Sequence, residues 1–208
     1  NCHGRFESTI PKYQSIQLIL NHNMPARNAI VTDVSLETSY PGYQRFAASI
    51  NHRGDYIQMI SSGSIETPFR SYDRFSYVIN HDATDVRNIR SVIETTTPMG
   101  AFVGRLNYRG DYSNLNTNVE VNTPIRGYER YILSLEHASS DLRDVTTKST
   151  LTSPHGDFSM TFTYKGIPQQ FQTSLAITTP FAGYDRFNLE LNHDFVRSTK
   201  LATSATLT

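Results

Sequence analysis

The segment Thr67-Pro68-Phe-Arg-Ser-Tyr-Asp-Arg-Phe75 returns as Thr123-Pro124-Ile-Arg-Gly-Tyr-Glu-Arg-Tyr131 and again as Thr179-Pro180-Phe-Ala-Gly-Tyr-Asp-Arg-Phe187, each copy 56 residues after the one before. Half-period copies at Thr97-Pro98-Met-Gly-Ala-Phe102 and Ser153-Pro154-His-Gly-Asp-Phe158 divide this interval into units of about 28 residues in two alternating flavours. Ile10-Pro11-Lys-Tyr13 and Tyr40-Pro41-Gly-Tyr-Gln-Arg-Phe46 open two earlier units, so about seven units fill nearly the whole chain of 208 residues. Such a chain folds as one supersecondary unit repeated, each unit resting on its neighbours.

The pattern inside a unit identifies that element. Phe75, Tyr77 and Ile79 share one parity while Ser76, Val78 and Asn80 take the other; Tyr131, Leu133 and Leu135, and Phe187, Leu189 and Leu191, repeat it. The intervening units give Phe102, Leu106 and Tyr108, then Phe158, Met160, Phe162 and Tyr164. A period of two is that of a strand, and Thr, Val, Ile, Tyr and Phe are the residues strands favour. Each unit therefore reads as a β-hairpin. The fold class expected is all-β, an antiparallel meander of about fourteen strands, each roughly 33 Å long, with one apolar and one polar face. An apolar face of that extent needs a cover. The sheet curls on itself, packs against other protein, or lies against lipid, and alternation alone does not choose.

Arg53-Gly54-Asp55 and Arg109-Gly110-Asp111 fall between outgoing and returning strands, where the next unit has Lys165-Gly166-Ile167. The Gly survives in all three and the Asp does not, as expected of a turn that needs positive φ. Integrin binding by a displayed Arg-Gly-Asp tip is the secondary reading. Five histidines, His22, His52, His81, His137 and His193, occupy the equivalent strand-end position, where Tyr108 and Tyr164 stand in other units. One donor per hairpin, interchangeable with Tyr, does not make a metal site. These are read as rim residues, half in and half out of an apolar layer.

The element Tyr72-Asp73-Arg74 recurs as Tyr128-Glu129-Arg130 and Tyr184-Asp185-Arg186. An enzyme does not need its acid and base three times over, and no nucleophile elbow, phosphate loop or His-Glu-x-x-His occurs. No catalytic residue, metal ligand or required cofactor is assigned. Nineteen basic against nineteen acidic side chains leave no net charge to attract nucleic acid. No apolar run reaches the length of about 20 residues that a transmembrane helix needs. The first residues are not a signal peptide, and the chain starts with Asn rather than Met, which suggests residues 1–208 are a single module processed from a larger protein. Cys2, the one cysteine, has no internal partner and is read as an ordinary free thiol, the alternative being a pairing with another chain or segment.

The repeated Thr-Pro-Phe/Ile-x-Gly-Tyr-Asp/Glu-Arg-Phe/Tyr-x-Leu-x-Leu-x-His resembles the amphipathic β-strand repeats of large lipid transfer proteins, the group of apolipoprotein B, apolipophorins and vitellogenins. The resemblance extends over nearly all seven units. It implies a secreted, extracellular, non-enzymatic module whose partners are lipid, or a lipid-like molecule such as a carotenoid, and other segments or chains of the same large protein. It further implies that the apolar-parity residues named above face that ligand, with Tyr and His marking the polar boundary as aromatic belts do at membranes. The alternatives are an adhesive matrix protein displaying Arg-Gly-Asp at hairpin tips and a transmembrane β-barrel, whose strands have the same amphipathic pattern.

Overall fold

The computed structural model describes residues 2–7, 15–141, 143–197 and 200–207. The unit opening expected at Ile10-Pro11 and the last residue, Thr208, lie outside the described residues. Among the described residues every regular element is a strand: β1 (Cys2–Glu7), β2 (Ser15–Ala26), β3 (Ala29–Thr38), β4 (Arg45–Gly54), β5 (Gln58–Glu66), β6 (Arg74–Asp85), β7 (Asn88–Thr97), β8 (Gly100–Gly110), β9 (Asn114–Asn122), β10 (Arg130–Asp141), β11 (Asp144–Ser153), β12 (Gly156–Ile167), β13 (Gln170–Thr178), β14 (Arg186–Arg197) and β15 (Lys200–Leu207). Strand order follows chain order from β1 to β15, and the fold is an all-β antiparallel meander.

The chain forms two compact units, one of residues 1–105 with 122–124 and the other of residues 106–121 with 125–208. In the first, β1 to β7 pair successively. In the second, β10 to β15 do the same. The seven hairpins read from the sequence are β2–β3, β4–β5 and so on to β14–β15. Strand β1 precedes them, and Cys-His-Gly-Arg-Phe-Glu carries none of the alternation that announces the others. β6, β10 and β14 begin at Arg74, Arg130 and Arg186, the arginines of the repeated motif, and each runs 12 residues.

The turns that precede β4, β6 and β14 are each held by a threonine hydroxyl. Thr67 Oγ1 donates to the Tyr72 carbonyl and accepts the Phe69 amide, while the Thr67 amide donates to the Asp73 carbonyl at 2.9 Å. Thr179 repeats all three bonds on Tyr184, Phe181 and Asp185. Thr38 makes the same set to Tyr43, Tyr40 and Gln44 although its proline has moved to position 41. In the short turns the hydroxyl of Thr97 or Ser153 donates to the carbonyl of Gly100 or Gly156. A hydroxyl that satisfies backbone groups locally is how Ser and Thr fix a turn.

Each of the longer turns, before β4, β6, β10 and β14, has one residue in the left-handed region. Gly42, Gly127 and Gly183 supply it at φ 88°, 85° and 83°, but the fourth copy uses Ser71 at φ 71°. A residue with a Cβ is strained there by about 1 kcal/mol. Ser71→Gly is therefore expected to stabilise the protein by about 0.5–1 kcal/mol, less than the full strain because glycine loses more freedom on folding. The check is the urea midpoint at unchanged m-value; a midpoint at or below that of the parent chain contradicts it.

Candidate functional site

The hydrogen-bond register lines up the apolar-parity residues across strands. In the first unit, Leu20, Val34, Ala48, Ile65 and Phe75 stand successively opposite one another from β2 to β6. In the second, Thr147, Phe162, Leu175 and Leu189 do so from β11 to β14, with His137 of β10 opposite Thr147. Residues directly opposite in a sheet lie on one face with their Cβ atoms about 5 Å apart. The other parity brings Ser49 to Ser64, Thr163 to Ser174 and Ser159 to Thr178, each pair joined by a hydroxyl hydrogen bond of 2.6–2.9 Å.

These apolar residues are half-buried, apart from Ile65 and Leu189, which are exposed. The only buried hydrophobic side chain among the described residues is Ala29, and no large side chain is fully buried. Leu133 and Leu189 are each 43 % exposed and Ile65 54 %.

On the first unit the apolar parity is not flat. Ala48, Ile50, Gly63, Ile65, Phe75 and Tyr77 line a depression of about 230 Å³. Glycine at 63 makes room for it: a Cβ there would meet Tyr77 Cε1 at 2.5 Å and the Ser49 carbonyl oxygen at 2.8 Å. The Tyr77 ring lies over the bare backbone, and its hydroxyl lies 3.3 Å from that of Ser61, itself buried. An aromatic ring covering a strand glycine replaces the packing that the glycine lacks.

The two strand ends differ chemically. At the Thr-turn end, aromatic rings pass from turn to strand. Phe69 packs edge-on against Phe46 and Tyr43, with centroids 5.7 and 5.6 Å away, and Phe181 packs likewise on Phe158 at 5.6 Å. At the opposite end stand the histidines, and three of them share one geometry. His22 Nδ1 lies 2.9 Å from Thr32 Oγ1, His81 Nδ1 2.7 Å from Ser91 Oγ, and His137 Nδ1 2.8 Å from Thr147 Oγ1. Each hydroxyl belongs to the residue directly opposite on the returning strand. His193 instead stacks on Phe171, which stacks on Tyr164. Among the described residues no three His, Cys, Asp or Glu side chains converge as metal ligands do.

The Arg-Gly-Asp segments close the β4–β5 and β8–β9 hairpins. Asp55 Oδ1 accepts the amides of Ile57 and Gln58 at 2.8 and 3.1 Å, and Asp111 Oδ1 accepts those of Ser113 and Asn114 at 2.9 and 3.1 Å. Those amides, Ile57 first, hold the Asp55 carboxyl below the usual carboxylate range. The aspartates aim inward to organise the turn, while Tyr56 and Tyr112 at the tips are 85 % and 90 % exposed.

Residue spacing carried a signal for the histidine pairs. His22 and Thr32, His81 and Ser91, and His137 and Thr147 are each ten residues apart, the interval that a hairpin of this length folds into direct opposition. The Gly63 depression had no such signal, because it depends on which side chains flank a glycine two strands deep.

No protein family, curated protein or solved structure matches the chain.

Proposed function

We propose that this chain is a non-enzymatic, extracellular module of a larger lipid-carrying protein, and that it shelters lipid or a lipid-like hydrophobic molecule against its apolar strand face. The observation that carries this reading is the pairing of an in-register row of large apolar side chains with their exposure. Each such side chain gains about 1.5–3 kcal/mol on leaving water, so a surface built of them is stable only when something apolar lies on it. Lipid satisfies that need with no shape requirement, which suits a face made from repeated and slightly varied hairpins. The repeat motif's resemblance to lipid transfer proteins points the same way. Phe75, Tyr77, Ile79, Phe102, Leu106, Tyr108, Tyr131, Leu133, Leu135, Phe158, Met160, Phe162, Tyr164, Phe187, Leu189 and Leu191 are the contact residues on this reading.

The test is to purify the native protein without detergent, extract it with organic solvent, and examine the extract by mass spectrometry beside the protein's visible absorption spectrum. Lipid or pigment in at least stoichiometric amount is expected. A ligand-free, colourless protein that self-associates would overturn the reading and favour a structural sheet that covers its own apolar face.

A further inference from the structure

We infer that the rim histidines make the apolar face a pH-dependent carrier surface, which holds an uncharged apolar load when the imidazoles are neutral and gives it up when they are charged. The inference rests on the carriage reading above and adds its regulation. Its basis is the geometry of the rim.

His81 fixes the chemistry. Its Nε2 lies 3.1 Å from the Tyr56 carbonyl oxygen, which can only accept, so Nε2 carries the hydrogen. In the neutral ring Nδ1 then accepts from the Ser91 hydroxyl, 2.7 Å away. When the ring is protonated, Nδ1 donates to Ser91 Oγ instead and the hydroxyl rotates. Both hydrogen bonds survive the change, so the hairpin keeps its partners in either state. What changes is one positive charge on the apolar parity.

The surroundings do little to neutralise that charge from the same face. His81 has Met59 of β5 and Ser91 of β7 directly opposite, with Asp82 and Arg90 opposite each other on the alternate parity. The Asp82 carboxylate, on the alternate parity, accepts from the Thr84 hydroxyl and amide and also interacts electrostatically with His81 and Arg90. His52 has Ile30 and Ser61 opposite, with Arg53 next along its strand. His22 has Thr32 opposite and Asp33 on the other parity. His137 has Thr147 opposite, with Glu136 and Lys148 paired on the other parity, and Leu115 takes the place in β9 that Met59 takes in β5. His193 lies between Phe171 and Thr203, with Asp194 beside it.

An apolar load lying over the rim would desolvate the rings, and desolvation favours the neutral ring. Load and proton therefore compete. By linkage the load binds less tightly as acidification charges the imidazoles. Tyr108 and Tyr164, which stand at the same position on β8 and β12, show the non-titrating form the repeat also accepts.

The experiment uses the whole chain and an emulsion of trioleoylglycerol coated with phosphatidylcholine, with bound protein measured by flotation at pH 7.5 and pH 5.0. The expected result is a fall in affinity of at least about tenfold, the equivalent of one unit of pKa displacement, with the far-UV circular dichroism unchanged. A chain carrying His22→Tyr, His52→Tyr, His81→Tyr, His137→Tyr and His193→Tyr is expected to bind equally at both pH values. Calorimetry of the unsubstituted chain at pH 6.5 in buffers of different ionisation enthalpy is expected to show proton release on binding, a readout that does not depend on the variant folding. Equal binding by the unsubstituted chain at both pH values, no proton release, or a pH response that persists in the Tyr variant each overturns the inference. No binding at either pH overturns the carriage reading itself.

Discussion

Glutamate at Leu133 and Leu189 together should abolish binding to a phosphatidylcholine-coated emulsion while leaving the sheet folded. The two leucines sit on the apolar parity of β10 and β14, each 43 % exposed. Folding therefore loses little by their removal, and the strand preference of the replacement costs about 1 kcal/mol or less at each position. Binding loses much more. Covering the exposed part of each leucine is worth about 0.6–1.3 kcal/mol, and the larger loss is that each carboxylate would have to be neutralised or drawn out of the apolar layer. An affinity drop of about a thousandfold or more follows. The matched control is Asn188→Glu with Asn192→Glu, on the opposite parity of β14, opposite Ala176 and Gln172. Those charges face away from the load and should leave flotation within about twofold, an energy near 0.4 kcal/mol. Equal loss in both double variants would mean that affinity follows net charge rather than a face, and the assignment of the binding surface would fall.

The strands could be read from the sequence because period two is local: Phe75, Tyr77 and Ile79 share one parity and Ser76, Val78 and Asn80 the other, as only a strand arranges them. The hairpin ends were legible for a similar reason, since the Gly in Arg53-Gly54-Asp55 persists where the Asp is lost. What parity does not reveal is stagger between neighbours. Leu20 of β2 is brought level with Phe75 of β6 only by four successive registers. The role of Thr38 was hidden by the more conspicuous proline, which shifts to position 41 while the hydroxyl bonds stay in place. The motif is a hydroxyl that satisfies backbone groups, and proline is its frequent companion. Likewise the histidines read as amphipathic rim residues, but their hydroxyl partners emerge only when the hairpin is folded and residues ten apart come opposite.

The Arg-Gly-Asp tips allow a turn role and a receptor role to be separated by experiment. Gly110 has φ 120°, and a Cβ there would collide with the Asn114 carbonyl oxygen and come within 3.0 Å of Leu115 Cα. Nothing flexible lies in the way that could yield, since both obstacles are backbone. Gly110→Val is expected to destabilise the protein by about 3 kcal/mol or more, adding backbone strain to the loss of the hairpin closure, and a urea midpoint near that of the parent chain would exclude it. Asp111→Asn asks the complementary question. The amide oxygen can still accept from Ser113 and Asn114, as Asn does in turns of this kind, so stability should change by about 0.5 kcal/mol or less. A receptor that reads Arg-Gly-Asp through its carboxylate would lose its ligand in the same variant. Cell attachment to immobilised protein should therefore be weak for the unsubstituted chain and no weaker for Asp55→Asn with Asp111→Asn. Strong attachment that disappears in this variant, with the urea midpoint unchanged, would assign the aspartates to adhesion, because a carboxylate needed only for the turn can be replaced by an amide.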